Sequence, residues 1–315
     1  MSDLLKKFLL PDRSTRVQAV RLSRSWQTGL SHQSLPLPVQ TLLGELVAAA
    51  TLLAANIKFD GSLVLQLQGD GPVSLLVVEC TSDLSIRATA TLRDGQEVPE
   101  DGTLQTLLNH NGQGRFAVIL DPNRADTQMR PYQGIVPMEG DSVAQVLELY
   151  MHASEQLDTR LWLAADTQHC AGLLLQRLPG TGGHSTADTD GDGTKTERSP
   201  EETWNHVAHL FHTVEPPELL QTDTDTLIHR LLWEEDLIAF DPQAVRWHCP
   251  CTRQRVADML NMLGQDEVNA ILKEQTTIRV SCNFCGKPYE FDAVDCGSLF
   301  VDRANTPDTR NPSVH

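Results

Sequence analysis

The chain has 315 residues, 40% of them hydrophobic and 21% charged, which suits one large globular domain plus a smaller one, or two ordinary domains, and excludes wholesale disorder. Acidic residues outnumber basic ones 42 to 25, a formal net charge of −17, so the overall field repels phosphate backbones and anionic lipid headgroups. Neither nucleic acid nor a membrane surface is an expected partner.

The N-terminal stretch "MSDLLKKFLLPDRSTRVQAV" has no apolar run long enough for a signal h-region, so a cytoplasmic location is expected. The most apolar segment, Thr41 to Lys58, carries Glu45 and is short for a bilayer span, which predicts a buried helix. After it come alternating runs that read as strands: Ser62 to Gln68, Val73 to Cys80 and Leu84 to Leu92, the first two joined by a "GDGP" turn at Gly69 to Pro72. Further short strands are predicted at Arg115 to Leu120, Tyr132 to Met138, Thr159 to Ala165 and Ala171 to Leu178. Between them Asp141 is placed to cap a helix from Ser142 to about Gln156. Residues 1–179 are therefore expected to form an α+β domain of antiparallel strands with packed helices.

Gly180 to Pro200 is rich in Gly, Thr and Asp with almost no apolar residue, and reads as a flexible acidic insertion. Residues 201–244 are acidic but amphipathic: Trp204, Val207, Ala208 and Phe211 share one helix face, and Leu227, Ile228, Leu231 and Leu232 another. Arg230 is the only Lys or Arg there. Such helices need a surface to cover their stripes and are marginal undocked, so this is a conditional helical linker. Residues 245–297 form a small cysteine module, predicted as two short helices broken at Gly264 and a hairpin with a cysteine pair at its turn; 298–315 reads as a polar tail, frayed from Asp302.

The module holds Cys249, Cys251, Cys282 and Cys285 in a C-x-C…C-x-x-C arrangement. Four soft donors in two pairs suit tetrahedral Zn²⁺, one per chain, with every position filled and none open to a substrate. In a reducing compartment a structural disulfide framework is not expected of the seven cysteines. Thiolates held on a metal are nevertheless the form that oxidants attack, and each pair is close enough to close on itself, although a C-x-C ring is strained. A purely structural zinc staple and a redox role both fit this pattern.

The same chain carries "QGDGPV" at Gln68 to Val73, "PYQGIVPMEGDSVAQVLELYMHASEQLDTRLWLA" at Pro131 to Ala164 and "AGLLLQRLP" at Ala171 to Pro179. With the cysteine pairs, these segments resemble the redox-regulated 33 kDa heat-shock chaperones, the heat shock protein 33 family, over nearly the whole length. The resemblance implies a non-enzymatic, ATP-independent holdase, idle when reduced and zinc-bound. Oxidants would expel zinc and form Cys249–Cys251 and Cys282–Cys285 disulfides; module and linker would unfold and expose apolar surface to unfolding client proteins. It also implies a homodimer when oxidised and hand-over of clients to ATP-dependent foldase chaperones. Three departures stand out: Pro250 between the first two ligands, the added stretch 180–200, and no glycine after Arg87 in "LSIRATATL".

Two other functions compete. A thiol–disulfide oxidoreductase would use Cys282 and Cys285, but such motifs open a helix after a strand, whereas "GKPYEF" continues as strand. A nucleic-acid-binding zinc ribbon needs a basic surplus that 245–297 lacks. Lesser signals point to ordinary roles. Asp188, Asp190, Asp192 and Gly193 mimic the start of an EF-hand loop, but Ser199 holds the place of its bidentate glutamate. His206, His209 and His212 drift around a helix, "GDGP" lacks the rest of a dinucleotide loop, and Cys80, Cys170 and Cys296 read as small buried residues. His248 is a neighbour of the cysteines rather than a fifth ligand.

Overall fold

The computed structural model describes residues 3–123, 130–179 and 198–304, with side chains to Phe300. Most of the expected flexible insertion, the EF-hand-like aspartates and the end of the polar tail lie outside the described residues. The chain divides into two compact units, Met1–His248 and Cys249–His315.

In the first unit the elements run β1 (Leu4–Leu9), β2 (Thr15–Leu22), α1 (Arg24–Leu30), α2 (Leu37–Ala54), β3 (Gly61–Gln68), β4 (Val73–Thr81), β5 (Ser85–Leu92), α3 (Leu104–Leu108), β6 (Arg115–Pro122), β7 (Tyr132–Pro137), α4 (Val143–Glu155), β8 (Thr159–Ala165) and β9 (Cys170–Arg177). Helices α5 (Pro200–Phe211), α6 (Pro216–Gln221) and α7 (Thr224–Leu232) follow, then the two-residue strands β10 (Ile238–Ala239), β11 (Gln243–Ala244) and β12 (Arg246–Trp247). The mixed α+β class and the strands from β3 to β9 agree with the sequence. The strands β1 and β2, the helices α1 and α3 and the three short strands were not anticipated.

Two six-stranded sheets result. One has the order β10-β1-β2-β9-β8 with β11 also on β1; the other is β12-β5-β4-β3-β6-β7, antiparallel except for the β12–β5 pair. Helix α2 touches strands of both sheets. It is buried almost all round, so although it is long and apolar enough to cross a membrane, it is a core helix here. The sequence placed it four residues too late because Pro38 sits in its first turn, where proline's missing N–H costs no hydrogen bond. At α4 the cap is Ser142, whose hydroxyl accepts from the Gln145 amide, rather than Asp141.

The first sheet is buried on both faces. Along β9, Cys170 and Leu174 face the α2 core, while Ala171, Leu173 and Leu175 face α5 to α7. Strand β2 alternates likewise, Val20 and Leu22 toward α2, Val17 and Ala19 toward the middle helices. The middle helices cover this outer face with Val207, Phe211, Leu227, Ile228, Leu231 and Leu232, from the stripes that the sequence marked, and with Leu219 of α6, which it did not. At about 25 cal/mol per Å² of apolar surface removed from water, this seam dominates their docking. Polar clasps add to it: Lys6 pairs with Asp225 at 2.5 Å, and Arg21 Nε donates to the Leu220 carbonyl at 2.6 Å. The chain then returns along β1, with Ile238 opposite Leu9 and Ala244 opposite Leu4.

The second unit comprises α8 (Arg253–Leu263), α9 (Gln265–Glu274), β13 (Thr277–Ser281), β14 (Pro288–Asp292) and α10 (Ala293–Ala304). The two helices break at Gly264, whose φ of +92° disfavours a side chain. Helix α10 runs into the stretch expected to be tail, because Leu299 and Phe300 pack on the module's core. Among the described residues that core has seven buried members, Ala257, Leu260, Val268, Ile278, Tyr289, Phe291 and Cys296.

Candidate metal centre

The ligand set is built from two chain segments. Cys249 and Cys251 precede α8, whose N-cap Thr252 accepts from the Arg255 amide and so fixes the helix start beside the second sulfur. Cys282 and Cys285 occupy the turn between β13 and β14. There the Gly286 amide donates to the Cys282 carbonyl at 2.8 Å and the Cys282 amide to the Lys287 carbonyl at 3.0 Å. Gly286 has φ +66°, the left-handed conformation this tight turn needs. Arg253 braces the frame by donating to the Glu290 carbonyl and to Asp295, with its guanidinium 4.2 Å from the Phe291 ring centroid.

All four sulfurs lie within 4.8 Å of one another. Cys249 and Cys282 are 3.6 Å apart, Cys251 and Cys285 3.4 Å. A tetrahedron with bonds of about 2.3 Å has edges of about 3.8 Å, so the cluster fits one tetrahedral thiolate-bound ion such as Zn²⁺. Both of these sulfur–sulfur contacts run between the pairs rather than within them, as the near-equal edges of a tetrahedron allow, so this geometry does not select a disulfide pairing.

Hydrogen-bond donors converge on the sulfurs. The Tyr289 hydroxyl donates to Cys251 at 3.1 Å, and the main-chain amides of Cys251 and Lys287 favour the thiolates of Cys249 and Cys285 respectively. Burial opposes ionisation of Cys251, but hydrogen bonds from Tyr289 and the neighbouring thiols bring it down to about 7. Burial and the other sulfurs push Cys285 up to about 12, and burial raises Cys249.

The Cys282–Cys285 pair sits between two strands, not at a helix N-terminus that would activate a redox nucleophile. Cys80, Cys170 and Cys296 are buried, the first two completely, and burial raises all three thiols. His206 lies 3.4 Å from Glu235, which Arg198 also pairs with at 2.5 Å. Among the described residues the four cysteines are the one cluster of metal-ligand type.

A profile described as "Hsp33 protein" matches residues 3–292. The chain belongs to the Hsp33 family. It is 44% identical over 308 residues to a protein named 33 kDa chaperonin from Methylobacillus flagellatus, covering 98% of this chain and 97% of the relative. A 33 kDa chaperonin from Chromobacterium violaceum is 42% identical over 299 residues, 95% and 94% of the two chains. In fold the chain is similar to the crystal structure of a 33 kDa chaperonin, a heat shock protein 33 homologue, from Thermotoga maritima: TM-score 0.77 at 17% identity, covering 97% of this chain and all of that one. These relatives are named chaperonins rather than enzymes, and the chain is an Hsp33-family chaperone with a four-cysteine cluster. Sequence reasoning found all four sulfurs but missed Tyr289, whose signal was an aromatic four residues after Cys285 in the returning strand.

Proposed function

We propose that this Hsp33-family protein is a redox-regulated, ATP-independent holdase in which the four-cysteine centre controls the docking of α5 to α7. The observation that carries the proposal is the clustering of all four sulfurs within 4.8 Å in a unit that has, among its described residues, seven buried core members. A structural zinc site is worth roughly 10–16 kcal/mol in small modules, so here metal binding and folding are one equilibrium.

Oxidation acts on the ligands themselves. Two thiolates, one hydrogen peroxide and two protons give one disulfide and two waters, and a second equivalent closes the other pair. We assign the pairs as Cys249–Cys251 and Cys282–Cys285. Once the cluster is broken, loop entropy favours partners two or three residues apart over partners about thirty apart. With four sulfurs consumed no ligand set remains, zinc is released, and the second unit loses its main source of order.

The consequence reaches the middle helices through the chain leading into Cys249. Strands β10, β11 and β12 are two residues each, held by few hydrogen bonds, and fray readily once the segment after them is disordered. Release of α5 to α7 would uncover Phe8, Leu10, Val17, Trp162, Leu173 and Leu175, a contiguous apolar sheet face suited to unfolding clients. In the same proposal the oxidised form is a homodimer, works in the cytoplasm and hands clients to ATP-dependent foldases. The deciding experiment follows zinc release, thiol loss and aggregation suppression on one sample exposed to peroxide with mild heat. All three should rise together; equal suppression by the reduced, zinc-loaded protein overturns the switch.

A further inference from the structure

One side-chain donor is aimed at a ligand sulfur: the Tyr289 hydroxyl, 3.1 Å from Cys251 Sγ. Its ring is fixed: Tyr289 is 6% exposed, belongs to the module's apolar core, stands opposite Val280 in the hairpin and has the Lys287 ammonium 5.5 Å from its centroid. A hydroxyl on so constrained a ring has little freedom to turn away from the sulfur.

We infer that Tyr289 is a positioning residue of the metal centre, holding Cys251 in its ligand position and drawing negative charge from that sulfur. Four thiolates around a dication leave a net charge of −2, and each donor spreads part of that excess into the protein. The O–H···S bond also occupies a sulfur lone pair, which lowers the nucleophilicity of Cys251 toward oxidants and alkylating agents. One side chain thus ties the module's core to the retention of its metal. The inference rests on the four cysteines binding a metal and is independent of whether oxidation activates the protein.

The test uses the full-length reduced protein without oxidant, as wild type, Tyr289→Phe and Phe291→Leu. Removing the hydroxyl should weaken Zn²⁺ retention against a competing chelator about 10-fold, the low end for loss of an outer-shell donor. It should also shift the thiolate-to-metal charge-transfer band of the Co²⁺-loaded protein and speed iodoacetamide modification of Cys251 in the zinc-loaded form. Phe291→Leu disturbs the same core while removing no hydrogen-bond donor, and should lower the melting temperature while leaving the cobalt spectrum unchanged. A Tyr289→Phe protein with wild-type zinc affinity and cobalt spectrum overturns the inference, as does an equal spectral shift in Phe291→Leu. Wild-type protein that takes up neither ion refutes the metal site itself.

Discussion

Phe211, at the end of α5, meets Trp162 of β8 edge-on, with ring centroids 5.3 Å apart and planes at 73°. This contact belongs to the seam between the middle helices and the outer face of the first sheet. Truncating a buried Phe costs about 3–5 kcal/mol, and isolated acidic helices of this length have little stability of their own to absorb it. Phe211→Ala is therefore expected to release α5 to α7 while the separate α2-centred core stays folded. Limited proteolysis should cut within 200–232 in the reduced, zinc-loaded variant, and the variant should suppress client aggregation without oxidant. A protease-resistant, inactive variant would show that this seam does not hold the protein idle.

The second unit has too little core to fold on its apolar contacts alone. A strong chelator added with reductant, or Cys282→Ser, is expected to abolish its structure, because roughly 10–16 kcal/mol of metal-linked folding energy disappears. Calorimetry should show the transition of the second unit lost and that of the α2-centred core of the first unit retained. Survival of a full-length helical signal from α8 and α9 after complete metal removal would contradict the coupling of metal and fold.

Glu45 gives the docked state a pH dependence. It lies on α2 beside a cavity of about 210 Å³, lined also by Ser142, Ala144, Leu161, Trp162, Leu163 and, from the middle segment, Val214, Pro216 and Leu219. None of those partners is titratable, and burial raises the Glu45 carboxyl to about 7. Burial there, to which the docked middle segment contributes, favours the neutral acid: the folded state is at full strength below the ordinary value near 4.5 and loses stability as pH rises to about 7, beyond which the loss is constant. Allowing for partial solvent access, the effect is about 1–2 kcal/mol. Proteolytic sensitivity of 200–232 should rise between pH 5 and pH 8 in the wild type and stay flat in Glu45→Gln. Parallel pH profiles for the two proteins would remove Glu45 from the seam.

What the sequence disclosed follows from where its periodicity was complete. Strands β3 to β9 alternate or run apolar within themselves, and the amphipathic stripes of α5 and α7 stand out against acidic surroundings. Strand β1 hides because Lys6 and Lys7 interrupt it; their charges are satisfied by Asp225 and by the Ala55 carbonyl, partners far along the chain. Strands β10 to β12 are too short to carry a period and exist through their pairing with β1 and β5. At the site, two close cysteine pairs announce a ligand set by spacing alone. Tyr289 does not announce itself, since its contact with Cys251 depends on the register that sets Tyr289 opposite Val280.

Gly44 tests whether the core that supports the first sheet depends on a close helix–strand approach. In an exposed helix, Gly→Ala gains about 0.5–1 kcal/mol from backbone entropy. At Gly44 an added Cβ would collide with the Ala165 side chain and stand 3.0 Å from the Trp26 ring and 3.3 Å from Cys170 Cβ. Trp26 cannot easily yield, because it is buried and its Nε1 donates to the Asp166 carbonyl at 2.7 Å. Overpacking of about 1–3 kcal/mol should exceed the entropic gain. Gly44→Ala is thus expected to lower the melting temperature of the first unit by several degrees, at about 2–4 °C per kcal/mol for a domain of this size. It should also loosen β8, the strand that presents Trp162 to Phe211, and so raise proteolytic sensitivity of α5 in the reduced protein. A raised melting temperature would mean that α2 and β8 have room to separate, and that the rigidity of this strand is not what seats the middle helices.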